Sequence, residues 1–254
     1  MQNKMILTPF FLDQPVPGLM PLAGADWQIN SVDLPNGDTQ DRMTLLHRSL
    51  AAEVATAVAN KQRPISIAGD CCTTLGVLAG LQQTDIHPTL IWFDAHGDFN
   101  DWQTTPSGFL GGMPLAMIAG IGQQKMVKGV GLQPLPSAQI WLTDGRDLDP
   151  GEKKLLAESD VTHLSSVTQL LDIKLPPSII YVHFDVDVLD PADAPAMNYP
   201  AAGGPTVDVV RAVFKRLAAS GQIVAVSVSA WNPDMAGSDR TQEIVLNLLA
   251  ELIA

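Results

Sequence analysis

Five short stretches of this chain, residues 64–68, 89–93, 140–143, 179–184 and 222–228, are apolar at nearly every position. A strand that is apolar on both faces must be covered on both faces, which is the situation of a buried parallel sheet. Segments with helical spacing lie between these runs, at 39–60, 73–81, 114–119, 151–158, 207–218 and 241–253. In the longest of them Leu45, Leu46, Ala52, Val54 and Val58 fall on one side. A further strand is predicted over 5–12. Strands alternating with helices give an α/β fold with a mainly parallel central sheet.

A chain of 254 residues holds one large α/β domain or two small ones, and 46% hydrophobic residues suffice for a sizeable core. No internal repeat or low-complexity linker divides it, so a single domain over 1–254 is expected. The Pro/Gly-rich stretches 15–24 and 191–205 read as long loops, which are often functional in a compact domain. A net charge of -12 argues against nucleic acid and anionic membranes as partners, but not against a small cationic substrate. Two adjacent cysteines, Cys71 and Cys72, cannot form a disulfide framework. No stretch approaches the ~20 apolar residues of a spanning helix, nor does the N-terminus resemble a secretory leader. A soluble, cytoplasmic protein is expected.

The residues able to carry chemistry cluster just after the apolar runs. Asp70 and Cys71 follow the first, Asp94, His96 and Asp98 the second, Asp185 and Asp187 the fourth, and Asn232 the fifth. Ligands of open parallel sheets bind outside the carboxyl ends of the strands, so these clusters should converge on one edge. Alternate residues of extended chain point the same way, which groups Asp94, His96 and Asp98, and likewise Asp185 with Asp187. Carboxylates crowded in this way do not all stay ionised without a cation. A donor set of carboxylates with one imidazole suits Mn²⁺ better than structural zinc. A pair of such ions lowers the pKa of water and clamps an attacking oxygen. Metal-assisted hydrolysis follows, and on these grounds a phosphoesterase fits as well as an amidine hydrolase. His47, His87 and His163 stand apart from the clusters and read as surface or turn residues.

The motifs Asp94-Ala-His-Gly-Asp-Phe-Asn100, Ser107-Gly108, Gly112-Met-Pro114, Arg146-Asp-Leu-Asp-Pro-Gly-Glu152, Phe184-Asp-Val-Asp-Val-Leu-Asp-Pro191 and Asn232-Pro233 occur in one order. In them the chain resembles the ureohydrolase family of arginase, agmatinase and related manganese hydrolases of linear guanidines. The resemblance implies a three-layer α/β/α domain, assembled into trimers or hexamers. It also implies that Asp94 and Asp185 bridge two Mn²⁺ ions, that His96 and Asp187 complete one site, and that Asp98 belongs to the other. A hydroxide between the ions would attack the guanidinium carbon. Asp98 and His183 are the candidate catalytic residues; His183 shares strand parity with Asp185. Asn100, Ser107, Asp149 and Glu152 match residues that grip the amino-acid head of arginine in the family. They imply conversion of arginine to ornithine and urea. The alternatives are a related amidine hydrolase acting on agmatine, guanidinobutyrate or formiminoglutamate, and a catalytically silent, metal-binding family member.

The chain departs from the family pattern at three positions. Cys71 replaces a histidine ligand of the second metal, and its thiolate is softer and must lose a proton to bind. One Mn²⁺ is therefore expected to bind firmly, with the second site weak, empty or differently occupied. Gly111 replaces a histidine usually assigned to proton transfer, a role worth ~10²–10⁴-fold in rate. Ala230 replaces a glutamate that pairs with the guanidinium, and the neighbouring Trp231 is read as core packing.

Overall fold

The computed structural model describes residues 1–229 and 231–254. Its strands are β1 (Gln2–Thr8), β2 (Phe10–Phe11), β3 (Gln14–Pro15), β4 (Gln28–Ile29), β5 (Gln62–Ala68), β6 (Thr89–Asp94), β7 (Ile140–Asp144), β8 (Thr162–Leu164), β9 (Ile180–Asp185) and β10 (Ile223–Ser229). Its helices are α1 (Thr39–Ala59), α2 (Thr74–Gln82), α3 (Pro114–Ile118), α4 (Lys125–Val130), α5 (Pro150–Ala157), α6 (Val207–Ala219) and α7 (Ser238–Leu252). Eight strands form one sheet in the order β4-β1-β5-β10-β9-β6-β7-β8, and every described pairing within it is parallel. The expected three-layer α/β/α arrangement is present.

The double-sided burial of the strands explains the layers. Along β6, Leu90 and Trp92 join a core that includes Leu50, Val54, Leu78 and Met126 of α1, α2 and α4. Ile91 and Phe93 face the other way, into a core with Val213, Phe214 and Leu248 of α6 and α7. Phe214 meets Phe93 and Phe184 edge-on at centroid distances of 5.2 and 5.1 Å. Alternate residues of one strand thus hold the two helical layers to the sheet.

The order of strands also fixes the site. From β5 the chain crosses to β6 and builds outward through β7 and β8. It then returns to place β9 and β10 in the gap. The carboxyl ends of β5, β10, β9 and β6 therefore stand side by side where the winding reverses, the usual ligand crevice of such sheets.

Several local expectations need correction. The predicted strand over 5–12 ends at Thr8, because Pro9 lacks the N–H that would continue the ladder. The chain then makes a tight β2–β3 hairpin, with Phe10 opposite Pro15 and Leu12 at positive φ. The buried stripe of α1 runs through Met43, Leu46, Leu50, Val54 and Ala57, whereas Ala52 is exposed. Asp38 starts that helix by accepting from the backbone N–H groups of Gln40 and Asp41. His47, read as a surface or turn residue, is fully buried on α1 and neither ring nitrogen has a partner. Burial pulls its pKa down to about 3, so it is neutral. Helix α4 and the short strands β4 and β8 have weak periodicity and went unpredicted.

Candidate metal centre

The strand-end clusters converge as expected. Asp94 closes β6 and Asp185 closes β9, while Cys71 lies in the turn after β5. Ligand atoms of Asp94, His96 and Asp187 lie within 4.8 Å of one another, and so do those of Cys71, Asp94 and Asp98. Asp94 belongs to both groups. The parity argument holds for Asp94 and His96, but Asp98 is brought back by a turn in which its own φ is +48°.

Backbone and side-chain partners fix the acidic side chains. Asp94 Oδ1 accepts from the His96 N–H at 2.7 Å, and Asp94 Oδ2 accepts from Trp92 Nε1 at 2.9 Å. Asp185 Oδ1 accepts from the Asp187 N–H, and Asp187 Oδ1 from the Ala95 N–H, at 2.8 and 3.0 Å. Asp187 Oδ2 lies 2.9 Å from His96 Nδ1. Asp98 Oδ2 is buried without a partner.

The electrostatics show how unbalanced this cluster is. Burial, then the charge of Asp187, raises Asp94 to about 7. Asp98 and Asp185 are raised well above the carboxylate range by burial and by neighbouring carboxylates. Burial opposes the charge of His96, yet its bonds to Asp187 and Asp94 hold it up to about 12. A divalent cation would relieve this crowding, and the orphaned oxygen of Asp98 would gain a partner. The residues present therefore fit a bound cation.

Cys71 is knitted into the same floor. Its thiol donates to Asp185 Oδ2 at 2.6 Å and lies 3.0 Å from Ser229 Oγ. Burial and the surrounding carboxylates push the thiol well up. His183 also sits here, with a ring nitrogen within 4.8 Å of ligand atoms of Cys71 and Asp185. Its ring is fully buried, 3.9 Å from that of Trp92, with Nδ1 2.7 Å from Ser227 Oγ. Nε2 lies 3.4 Å from Ser229 Oγ, so Ser229 and Cys71 stand between it and the cleft. Burial lowers its pKa to about 3. Among the described residues it does not line the pocket.

The cleft above the metal cluster has a volume of about 180 Å³. Carboxylates of Asp70, Asp94, Asp98, Asp147, Asp149, Glu152, Asp185 and Asp187 line it, and among the described residues no Lys or Arg does. Such a cleft attracts cations and repels phosphate esters. Asn100, Ser107, Asp149 and Glu152 all reach the lining, but they are already engaged. Asn100 donates to Asp149 Oδ2 at 3.0 Å and accepts from Thr104. Glu152 accepts from the N–H groups of Phe99 and Asp149 at 2.8 and 3.1 Å, the latter as part of the capping box of α5. Ser107 Oγ accepts from the Phe109 N–H at 3.2 Å.

The arginase family model matches residues 22–254. The chain belongs to the arginase family. It is thus an arginase-type hydrolase. An arginase of Bacillus subtilis (strain 168) is 29% identical over 219 residues, 82% of this chain and 74% of that protein. The N(omega)-hydroxy-L-arginine amidinohydrolase of Streptomyces lavendulae is 31% identical over 90% of this chain and 79% of its own length. The crystal structure of the Bacillus subtilis arginase superposes with a TM-score of 0.84 at 24% identity, covering 100% of this chain and 99% of that one.

The structure gives two of the three departures a physical setting. Cys71 Sγ lies within 4.8 Å of carboxylate oxygens of Asp94 and Asp98, in a group that could hold a cation. At Gly111, a Cβ would collide with Cε1 and Cζ of Phe109, so this arginase-family chain has given the space of a side chain to a ring. Ala230 lies outside the described residues. Trp231 is buried in the core and bridges to Met197, as its packing role required. Sequence reasoning missed Phe11, Phe109, Tyr199 and Asp147, all on the cleft lining. Only Asp147 carried a signal, its place inside the 146–152 motif.

Proposed function

We propose that this chain hydrolyses a C–N bond of a linear guanidine or amidine with the help of Mn²⁺. The observation that carries the reading is the sharing of Asp94 between two donor groups on the floor of a carboxylate-rich cleft. Asp94, His96 and Asp187 would hold one ion with Asp185 beside them, and Cys71, Asp94 and Asp98 would hold a second less readily. An ion bound there supplies Lewis acidity, making a water nucleophilic at neutral pH. The chain's own residues do the rest. The carboxylates draw in a cationic head group, and the buried floor limits competing water. Asp98, on the cleft lining, would offer the cation its unpartnered Oδ2 and leave its other carboxylate oxygen to accept the proton of the attacking water.

The names of the relatives make arginine the first substrate to test, with ornithine and urea as products. A second reading, an amidine other than arginine, is favoured by the hydrogen bonds that already occupy Asn100 and Glu152. A phosphoesterase is disfavoured by the absence of Lys and Arg from the cleft lining among the described residues. The test is product release from arginine, agmatine, guanidinobutyrate and formiminoglutamate, with Mn²⁺ and after chelation. Metal-dependent C–N cleavage of any of them supports the proposal. Release no greater than that of an Asp94→Asn/Asp185→Asn control across the whole set sinks it.

A further inference from the structure

Three aromatic rings line the same cleft as the carboxylates: Phe11, Phe109 and Tyr199. They form a continuous wall. Phe11 and Phe109 stack at 6.3 Å with an interplanar angle of 15°, and Phe109 meets Tyr199 at 5.0 Å. Each comes from a different segment, and each segment is pinned. The hairpin carrying Phe11 is held by Gly69 N–H donating to Phe10 O and by Leu12 N–H donating to Asp70. Phe109 uses the space left by Gly111. The loop bearing Tyr199 is tied by Arg146 to the carbonyls of Ala201 and Ala202 and by Asn232 to Asn198.

Half-buried Phe11 and Phe109 and a Tyr199 that is 46% exposed leave apolar ring surface facing a ligand, not sealed in the core. An α-amino-acid tail would set a carboxylate against rings and acidic side chains, with Asn100 already bonded elsewhere. An apolar tail has no such conflict. Aromatic faces also attract cations and stack on planar groups.

Resting on the hydrolase reading above, we propose that the cleft selects a guanidinium or amidinium cation bearing an apolar or aromatic substituent. The cationic head faces the acidic floor, and the substituent packs on the Phe11–Phe109–Tyr199 wall. Phe109 and Tyr199 are then specificity-determining residues.

The test compares 2-phenylethylguanidine with L-arginine on the Mn²⁺-loaded protein, by calorimetric titration for a guanidine that is not cleaved and by its initial-rate KM, standing in for the dissociation constant, for one that is. The expected result is about tenfold tighter binding of 2-phenylethylguanidine, the size of effect that aromatic packing supplies. Tyr199→Ala, a change at an exposed position, should bring the ratio of the two dissociation constants close to one, and Phe11→Ala should act in the same direction. Arginine binding as tightly as the aromatic guanidine, or a ratio that survives Tyr199→Ala, overturns the proposal. Urea release is scored separately. Selective binding without cleavage of any guanidine would retire the hydrolase reading and leave the aromatic wall standing, whereas cleavage of arginine with no aromatic preference would do the opposite.

Discussion

The ring of Phe109 fills the space that any side chain at Gly111 would need. The family resemblance assigns a proton-transferring histidine to that position, so its loss is coupled to the aromatic wall and is not an isolated deletion. Gly111→His alone should lower stability by about 1 kcal/mol, the low end of overpacking costs because the clashing atoms are the outer edge of a half-buried ring, and add little rate. Gly111→His with Phe109→Ala should restore stability and raise kcat for arginine by ~10-fold or more, within the range typical of a placed acid–base group. Thermal melts and urea release on both variants check this. A large rate gain from the single change would show that the ring yields easily. No gain from the pair would favour a changed substrate.

Cys71 should set the metal count. After saturation with Mn²⁺ and desalting, the wild-type chain should retain close to one ion and Cys71→His close to two, by metal analysis. With Co²⁺ the wild type should show a thiolate-to-metal charge-transfer band that Cys71→His lacks. Two Mn²⁺ retained by the wild type would remove the idea of an impaired second site.

Asp98 should reverse its effect on stability with metal. In the metal-free protein its unpartnered buried oxygen sits among like charges. Asp98→Asn should therefore raise the melting temperature of chelated protein, by an amount corresponding to ~1–3 kcal/mol. With Mn²⁺ in excess the order should invert, because the variant gains less from ligand binding. The same sign in both conditions would show that Asp98 meets no cation.

His47 should govern part of the acid limb of stability. Its folded pKa, lowered to about 3 by burial, lies below that of the unfolded chain. The unfolded state therefore binds the extra proton between about pH 6.5 and 3. The neutral residue's contribution is complete above that window and falls by about 1.4 kcal/mol per pH unit as pH drops through it. Urea denaturation at pH 7 and pH 5 should show His47→Leu losing less stability on acidification than wild type. Equal losses would place the proton elsewhere.

The metal floor was legible because two simple signals coincide there. A run such as Leu90–Phe93 is apolar at every position, and the first carboxylate after it marks the strand's end. The residues at the rim were not legible. Phe11, Phe109 and Tyr199 lie far apart in sequence, in segments without periodicity, and only the folded loops bring them together. Glu152 reaches the cleft but has a second role that its motif does not show. Its motif suggests substrate contact, yet both oxygens are committed to backbone donors at the start of α5. His47 was misplaced because a lone histidine on a helix has no sequence mark for the face it occupies.

One carboxylate joins the two ends of the cleft. Asp70 Oδ2 accepts from the Leu12 N–H at 2.8 Å, and Asp70 Oδ1 from the Cys72 N–H at 2.9 Å. The hairpin that presents Phe11 and the turn that presents Cys71 therefore hang from a single hinge point. Any effect of rim occupancy on ion affinity at the floor would have to pass through this shared carboxylate, and the ion would then alter rim affinity to the same degree.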